Sequence, residues 1–357
     1  MIQDTFQREP RRHVFIIDGT LSRIGEGEET NAGILYKLLS EEGPSADQTI
    51  GYHRGVQATG FTKWIKVAAG IGVNESILEA YSTLASRYQP GDKIMLFGYS
   101  RGAYAVRSLA GFISRIGMLR QEEATQRRVL KAFRYYEAHS PSQSAKKFCE
   151  DYCHKNVEIE MLAVWDTVKA LGLPYPILNR LAPMATEFHD HSLSNLTKNA
   201  FQALALDENR SSYTPLPWLI KDDYKGHVEQ KWFAGGHADV GGQIHSRPQA
   251  RTLSNIPLVW ILDKAEALGL ELPEKWREQF PQNPIAPMHG PYRGKGRFFL
   301  FRAPRVVGRC SSEYVHSSVY ERLKRKKKYK PLAIFNHSRT IWEKQWLEPS
   351  QDSQPAE

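Results

Sequence analysis

Short apolar runs alternate with segments of helical spacing along this 357-residue chain, and the alternation constrains its fold more than any other feature. The runs predict strands at His13–Ile17, Lys93–Phe97, Glu158–Val164, Gln230–Ala234 and Arg297–Phe301. The segments between them predict helices at Glu75–Tyr88, Ala103–Ile116 and Asn255–Leu268. Strands buried on both faces read as near-continuous apolar runs. The sequence therefore predicts an α/β fold with a mostly parallel sheet and helices on both faces.

Polar side chains stand at the ends of four predicted strands. Asp18, Ser100, Asp166 and His237 each come at, or shortly after, the point where a strand stops. In open parallel sheets, binding and chemistry collect at the carboxyl ends of the strands. We therefore expect these four side chains to share one edge of the sheet.

The segment Gly98-Tyr99-Ser100-Arg101-Gly102 matches the pattern G-x-S-x-G between a predicted strand and a predicted helix. A serine on such a sharp turn needs close neighbours without β-carbons. The following helix N-terminus also favours developing negative charge. The pattern predicts a nucleophile elbow with Ser100 as the nucleophile of a serine hydrolase. It also predicts the backbone N–H of Arg101 as an oxyanion donor.

A serine hydroxyl needs a base, and the base needs an orienting acid. In this architecture the chain order is serine, acid, histidine, and Asp166 with His237 satisfies it. Asp239 is a second candidate for the acid, and it would need a later histidine such as His316 as the base. Two further polar candidates lie between Asp166 and His237 in the sequence: His189 and Asp190.

The motif Asp18-Gly19-Thr20 resembles part of the Asp-x-Asp-Gly-Thr signature of haloacid-dehalogenase-type phosphatases. That chemistry needs an aspartate nucleophile where this chain has Ile16, so it is excluded. We interpret the motif as the loop that supplies a second oxyanion donor, a backbone N–H at Thr20 or at neighbouring Gly19. Asp18 is expected to fix this loop by hydrogen bonding.

The amino-acid composition narrows the classes of protein to which this chain could belong. The chain is 41% hydrophobic and 24% charged, typical of a globular protein, and its three cysteines are too few for a disulfide framework. No metal or organic cofactor is expected. The N-terminus Met1–Arg12 is polar, and no apolar run approaches the roughly 20 residues of a membrane span. These features predict a cytoplasmic protein, with signal-independent export as the alternative.

The net charge of +9 is concentrated in the basic run Arg322–Lys330. A solvated helix end and peripheral contact with an anionic membrane surface are the two interpretations. Aromatic side chains are not interleaved with the run as a base-stacking platform requires, so no nucleic-acid partner is expected.

A series of short motifs in fixed order resembles the DUF2235 family, the α/β-hydrolase catalytic domain of Tle1-class phospholipase effectors of type VI secretion. The matching blocks are Asp18-Gly19-Thr20, Thr30-Asn31, Phe97–Tyr104, Val164–Val168, Phe188–Asp190, Ala205–Glu208 with Arg210, His237–Gly242, and His316–Val319 with Arg322. This chain departs from the family where it has Tyr99 instead of phenylalanine and Gln243 instead of a further glycine.

The resemblance implies hydrolysis of carboxylic esters, with phospholipid or other lipid acyl esters as substrates and Ser100, Asp166 and His237 as the triad. It also implies a partner from the secretion machinery or an immunity protein. We expect one domain over residues 1–347, with candidate caps at 118–152 and 171–191 and a disordered polar tail at 348–357. The alternative hypothesis is a catalytically inactive interaction module that keeps the hydrolase fold.

Overall fold

Parallel strands form the centre of the molecule. The computed structural model describes residues 8–25, 27–41, 43, 47–55, 72–138, 142–168, 193–244 and 247–335. The strands in these ranges are β1 (Arg12–Ile17), β2 (Gln48–His53), β3 (Lys93–Tyr99), β4 (Met118–Leu119), β5 (Cys153–His154), β6 (Ile159–Trp165), β7 (Thr197–Ala205), β8 (His227–Phe233) and β9 (Glu313–Val315). Seven of them form one sheet in the order β2-β1-β3-β6-β7-β8-β9, and each neighbouring pair is parallel. The short strands β4 and β5 form a separate antiparallel pair.

Helices connect the strands and cover the sheet. In the described ranges they are α1 (Asn31–Glu41), α2 (Val73–Ala85), α3 (Arg101–Ile116), α4 (Gln126–Glu137), α5 (Gln143–Tyr152), α6 (His237–Gly241), α7 (Arg251–Ala267), α8 (Ser317–Arg325) and α9 (Leu332–Phe335). Short 3-10 helices lie at Gln121–Glu123, Ser211–Tyr213, Pro248–Ala250, Trp276–Gln279 and Gly294–Phe298.

The sheet separates two apolar cores, as alternation along a strand requires. In β1, Val14 and Ile16 join a cluster that includes side chains of α1 and α7. Phe15 and Ile17 point the other way, into a cluster that includes side chains of α2 and α3. All four are almost fully buried, which explains why this strand reads as an uninterrupted apolar run. The predicted α/β class, with a parallel sheet and helices on both faces, is confirmed.

The first four predicted strands correspond to β1, β3, β6 and β8, and the three predicted helices correspond to α2, α3 and α7. The predicted strand at Arg297–Phe301 is wrong. It overlaps the 3-10 helix Gly294–Phe298, which begins at a glycine with φ 53°. Leu300 and Phe301 after it are 74% and 53% exposed, so this apolar run lies outside the core. The edge of the sheet beside β8 is occupied instead by β9.

The described part of the candidate cap at 118–152 contains β4, the 3-10 helix Gln121–Glu123, α4 and α5, and β5 follows it. It packs on the outer side of the helix layer, where Phe133 of α4 contacts Phe112 of α3 with ring centroids 5.5 Å apart. Phe112 is twelve residues along α3 from Ser100, or roughly 18 Å at 1.5 Å per residue. The role of this segment as a cap stays a prediction. The other candidate cap, 171–191, and the tail, 348–357, lie outside the described residues.

Two structural features are absent from the described residues. None of the helices there has the length and apolar character needed to cross a membrane. In the same part of the chain, no group of three or more His, Cys, Asp or Glu side chains is placed to hold a metal ion.

Candidate active site

Ser100 stands on the turn between β3 and α3. Its backbone has φ 59° and ψ −119°, a left-handed conformation that side chains rarely adopt, and its N–H donates to the carbonyl of Trp165 at 3.0 Å. The two flanking glycines explain how the turn fits. A β-carbon on Gly98 would lie 2.6 Å from the carbonyl oxygen of Gly102, and one on Gly102 would overlap the carbonyl oxygen of Ile17. The predicted strand–turn–helix context of Ser100 is therefore present.

His237 and Asp166 lie beside Ser100 at the carboxyl edge of the sheet. His237 is the first residue of α6, after β8, and its Nε2 is 2.8 Å from Ser100 Oγ. Asp166 directly follows β6, and its Oδ2 is 2.6 Å from His237 Nδ1. All three residues are at least nine-tenths buried. The structure thus brings together the serine, histidine and aspartate that were predicted to act together.

Asp166 is the most constrained of the three. Its φ is 43°, and its Oδ1 accepts a hydrogen bond from the backbone N–H of Ala205 at 2.9 Å. The guanidinium of Arg305 donates to both carboxylate oxygens, with Nη1 2.5 Å from Oδ1 and Nη2 2.9 Å from Oδ2. Burial alone would raise the pKa of Asp166, but the charge of Arg305 and the hydrogen bonds from His237 and Arg305 hold it well below its ordinary value.

The imidazole of His237 is packed between aromatic rings. Tyr99 stacks on it with ring centroids 4.9 Å apart and an interplanar angle of 29°, and Tyr213 meets it edge-on at the same centroid distance. Gly241 makes the stacking possible, because a β-carbon there would overlap the Tyr99 ring. The Tyr99 hydroxyl donates to the carbonyl of His237 at 3.3 Å.

Charged residues around His237 hold its backbone and influence its protonation. Its backbone N–H donates to Oε2 of Glu208 at 3.0 Å, and Glu208 in turn forms a bidentate ion pair with Arg210. Burial lowers the pKa of His237, while Asp166 and Glu208 act to raise it. An imidazole with a lowered pKa is neutral at pH 7 and able to accept a proton.

The predicted oxyanion loop packs directly on this site. A β-carbon on Gly19 would lie 2.7 Å from the Tyr99 ring and 3.4 Å from Cβ of Ser100. The N–H of Gly19 already donates to Asp18 Oδ1 at 2.6 Å, which favours Thr20 over Gly19 as the donor on this loop. The Thr20 side chain is 8% exposed, and its hydroxyl has no hydrogen-bond partner among the described residues. Arg101, the other predicted donor, is the first residue of α3, so its backbone N–H lies at the N-terminus of that helix.

Asp18 fixes this loop. Its carboxylate accepts hydrogen bonds from the hydroxyls of Ser22, Thr30 and Tyr52 at 2.7–2.8 Å, in addition to the one from Gly19. These donors come from the loop itself, from the start of α1 and from β2. Asp18 therefore ties the end of β1 to its surroundings, as was expected from its position in the sequence.

The alternative pair, Asp239 and His316, has other contacts. Asp239 accepts from the backbone N–H groups of Gly236 at 2.9 Å, His289 at 2.5 Å and Gly290 at 2.9 Å, so it caps α6 and holds a neighbouring loop. His316 Nδ1 lies 2.8 Å from the hydroxyl of Ser318 at the start of α8, and its ring stacks on Phe233. The imidazole beside Ser100 belongs to His237. His189 and Asp190 lie outside the described residues.

The basic run Arg322–Lys330 is not uniformly exposed. Arg322 is 2% exposed, and its guanidinium donates to the carbonyls of Pro284 and Ala286, so including it in a membrane-facing run was wrong. Its neighbours at the end of α8 and in the following turn do face solvent; the exposed lysines are Lys324, Lys327, Lys328 and Lys330.

Arg305 and Tyr213 were missed in the sequence. Arg305 lies 139 residues from Asp166 in a segment without regular structure, and no motif marks it. Tyr213 follows the Ala205–Glu208 block with Arg210, so the block gave a weak signal for this part of the site. The guanidinium of Arg210 lies 3.8 Å from the centre of the Tyr213 ring.

The parallel sheet with helices on both faces places the chain in the α/β class, and the hydrogen-bonded line at its carboxyl edge has the arrangement found in serine hydrolases. The sequence model for the catalytic domain of type VI secretion Tle1-like phospholipase effectors matches residues 11–264. This match covers well over half of the chain, which therefore belongs to that family.

Individual relatives are more distant. An uncharacterized protein of Saccharomyces cerevisiae is 28% identical over an alignment of 242 residues, and the alignment covers 58% of this chain and 33% of the relative. The solved Tle1 effector bound to the VgrG spike of the type 6 secretion system has 18% identity and a TM-score of 0.39, covering 66% of this chain and 51% of that one. An uncharacterized protein from Pseudomonas aeruginosa has 15% identity and a TM-score of 0.42, covering 77% and 49%. The chain thus spans about a third of the yeast protein and about half of each solved chain.

Proposed function

We propose that this protein is a serine hydrolase that cleaves carboxylic esters, with Ser100 as nucleophile, His237 as general base and Asp166 as the orienting acid. The observation that carries the proposal is the continuous line of hydrogen bonds from Ser100 Oγ through the imidazole to the Asp166 carboxylate, at 2.8 and 2.6 Å. The strained backbone of Ser100 supports it, because such strain clusters at active sites.

In the proposed reaction, His237 Nε2 takes the proton from Ser100 as the oxygen attacks the ester carbonyl. The backbone N–H groups of Arg101 and Thr20 stabilise the oxyanion, and the imidazolium returns the proton to the departing alcohol. Water, deprotonated by the same imidazole, then attacks the acyl-enzyme. The second tetrahedral intermediate collapses, releasing the carboxylic acid and returning the proton to Ser100.

Lipid acyl esters are the proposed substrate class. Family membership supports this choice, and so does an apolar surface beside the site. Phe299 packs edge-on against Tyr213 at 5.6 Å, and Tyr213 contacts His237. The next two residues, Leu300 and Phe301, are mostly exposed. Exposed apolar side chains on the segment that packs against Tyr213 suit an acyl chain or a lipid surface better than a polar ester.

The protein also carries an exposed positive charge that suits an anionic surface. The exposed lysines of the basic run, Lys324, Lys327, Lys328 and Lys330, would each contribute about 1 kcal/mol of attraction near anionic lipid. Replacing Lys327 and Lys328 by glutamine should weaken binding to phosphatidylserine-containing vesicles in sedimentation assays, most strongly at low salt. Equal binding of variant and wild type at low salt would remove the run from the proposed membrane contact.

The proposed function is tested with a fluorophosphonate probe, p-nitrophenyl esters of increasing chain length and mixed phospholipid vesicles. The wild type should be labelled and should hydrolyse the longer esters and the vesicle lipid, whereas Ser100→Ala should do neither. Ser108→Ala is the matched control, because this serine lies in the helix that follows Ser100 and its hydroxyl donates to the Tyr104 carbonyl of that helix at 2.9 Å. A wild type that is neither labelled nor active would favour the interaction-module hypothesis.

A partner from the secretion machinery is proposed from similarity alone. The solved Tle1 effector is bound to a VgrG spike, and this chain shares its family. Co-purification of a tagged form of this protein with a purified VgrG-type spike protein, lost on adding untagged protein as competitor, would support the partner. Absence of a complex with that spike in size-exclusion chromatography at micromolar concentrations would contradict it.

A further inference from the structure

The acid of the proposed site carries a second, unusual contact. Besides the imidazole, Asp166 is held by the planar guanidinium of Arg305, which engages both of its oxygens. The Arg305 and Asp166 side chains are 3% and 0% exposed, so this ion pair is shielded from water and from salt. A histidine with one aspartate is sufficient for the triad chemistry described above. Arg305 is therefore a fourth side chain beyond the three that this chemistry requires.

Arg305 is itself fixed in place. Its Nη1 also donates to the carbonyl of Ala205 at 2.9 Å, and its Nη2 donates to the carbonyl of Tyr213 at 2.7 Å. Ala205 is the residue whose N–H binds Asp166, and Tyr213 packs on His237. The guanidinium thus joins the acid to the two backbone segments that surround the imidazole.

We propose that Arg305 is a positioning residue of this active site, which keeps Asp166 ionised and oriented toward His237 while its own charge keeps the imidazole neutral in the resting enzyme. The inference rests on the proposed function. It goes beyond it by assigning a fourth side chain that acts through the aspartate and never touches the substrate.

The charges around Asp166 and His237 explain why Arg305 should keep the imidazole neutral. A buried aspartate alone would favour the protonated imidazole, because the ion pair is then the only compensation for its charge. With Arg305 present, the carboxylate is already compensated, and a positive charge close to the imidazole disfavours a second one. The other charged and titratable groups that face His237 are Glu208, Arg210, Tyr99 and Tyr213, and all of them remain in a variant of Arg305.

The test is the pH dependence of Ser100 labelling by a fluorophosphonate probe, which needs no natural substrate. In Arg305→Met the acidic limb of the labelling rate should move to higher pH by about one unit, the size expected when a charge a few ångströms away is removed. Arg305→Lys keeps the charge but cannot bind both oxygens. The acidic limb of this variant should therefore stay near that of the wild type. Its maximal labelling rate should fall by up to about 10²-fold, because Asp166 is no longer held in the same orientation.

Arg322→Met is the matched control, since it removes another buried guanidinium that donates to backbone carbonyls. Its limb should not move even if its stability falls. A merely structural role for Arg305 predicts lower stability and unchanged limbs in all three variants, and that result would overturn the inference. A wild type that is not labelled at any pH would instead contradict the proposed function itself.

The wild type offers a check that does not depend on the folding of Arg305→Met. Its low-field proton resonance at His237 Nδ1 can be followed by NMR against pH. The inference expects protonation with a midpoint below the ordinary histidine value of about 6.5. A midpoint above that value would show that Arg305 does not keep the imidazole neutral, and would overturn the inference.

Discussion

Asp18 and Asp166 invite direct comparison, because both follow strands of one sheet, both reach its carboxyl edge and both are fully buried. Asp18 is surrounded by neutral donors, three hydroxyls and one backbone N–H, and burial raises its pKa despite them. Asp166 faces Arg305 and His237, and its pKa is lowered. In this pair, neutral donors orient the buried carboxylate of Asp18 without offsetting the effect of burial on its pKa, whereas the charge of Arg305 and the hydrogen bonds to Asp166 more than offset it.

The largest effect is expected on catalytic activity, where substitution of the two aspartates should have very different consequences. Asp166→Asn should lower kcat on p-nitrophenyl esters by about 10⁴-fold, because the amide favours the wrong tautomer of the histidine. Asp18→Asn should cost far less, since Asp18 holds a loop and does not contact the imidazole. Steady-state kinetics of both variants measure the contrast. Equal losses would mean that Asp18 takes part in the chemistry.

Gly102→Ala tests the contact between the serine turn and the Asp18 loop. The added β-carbon would overlap the backbone carbonyl oxygens of Ile17 and Asp18, which cannot move as a flexible side chain can. We expect a loss of about 1–3 kcal/mol in the free energy of unfolding. Urea denaturation provides the measurement. Gly91→Ala, where no atom lies near the added carbon but φ is positive, separates overlap from backbone strain.

The pH dependence of stability should have opposite signs at the two sites. Asp18, with its raised pKa, contributes stability that is present below the ordinary value of about 3.9 and is lost as pH rises through the folded value. Asp166, with its lowered pKa, contributes stability that is present above the ordinary value and is lost as pH falls through the folded value. Each unit of pKa difference corresponds to roughly 1.4 kcal/mol.

Relative to the wild type, Asp18→Asn should therefore gain stability as pH rises from about 4 toward neutrality. Asp166→Asn should show the reverse trend, gaining on the wild type as the solution is acidified. Urea unfolding over a series of pH values measures both differences. Parallel curves for the two variants would contradict the assignment of opposite environments.

Tyr52→Phe should have the smallest effect. It removes the hydroxyl that donates to Asp18 Oδ2 at 2.8 Å but leaves the ring stacked on Tyr36. We expect a loss of about 1 kcal/mol in the free energy of unfolding and little change in kcat. Thermal denaturation with a parallel esterase assay measures both. A large loss of activity with normal stability would place Tyr52 in the reaction instead.

The fold was predictable where the strands are apolar on both faces, and unpredictable where they are not. Strand β7 (Thr197–Ala205) contains Lys198, Asn199 and Gln202, so no apolar run marks it. The amide of Gln202 is nevertheless buried and satisfied, because it bonds the carbonyl of Leu216 at 3.1 Å and accepts from the Thr167 hydroxyl at 2.9 Å. A polar residue buried with partners from distant segments cannot be recognised from local composition.

The candidate site residues were likewise predictable only where a local signal in the sequence marks them. Ser100 was marked by its glycines, and Asp166 and His237 by chain order and strand ends. The sequence left Asp239 open as the acid, because its capping of α6 depends on loop positions that only the fold determines. Arg305 had no local signal, since a counter-charge may come from any segment that reaches the carboxylate.

The ion pair between Asp166 and Arg305 joins two residues that are made at different times during synthesis of the protein. A ribosome delivers Ser100, Asp166 and His237 well before it delivers Arg305, which lies beyond the family match that ends at residue 264. Until then the acid lacks its counter-charge, and strand β9 has yet to close the edge of the sheet. A nascent chain that ends before Arg305 therefore contains the three proposed reacting groups without the guanidinium that pairs with Asp166.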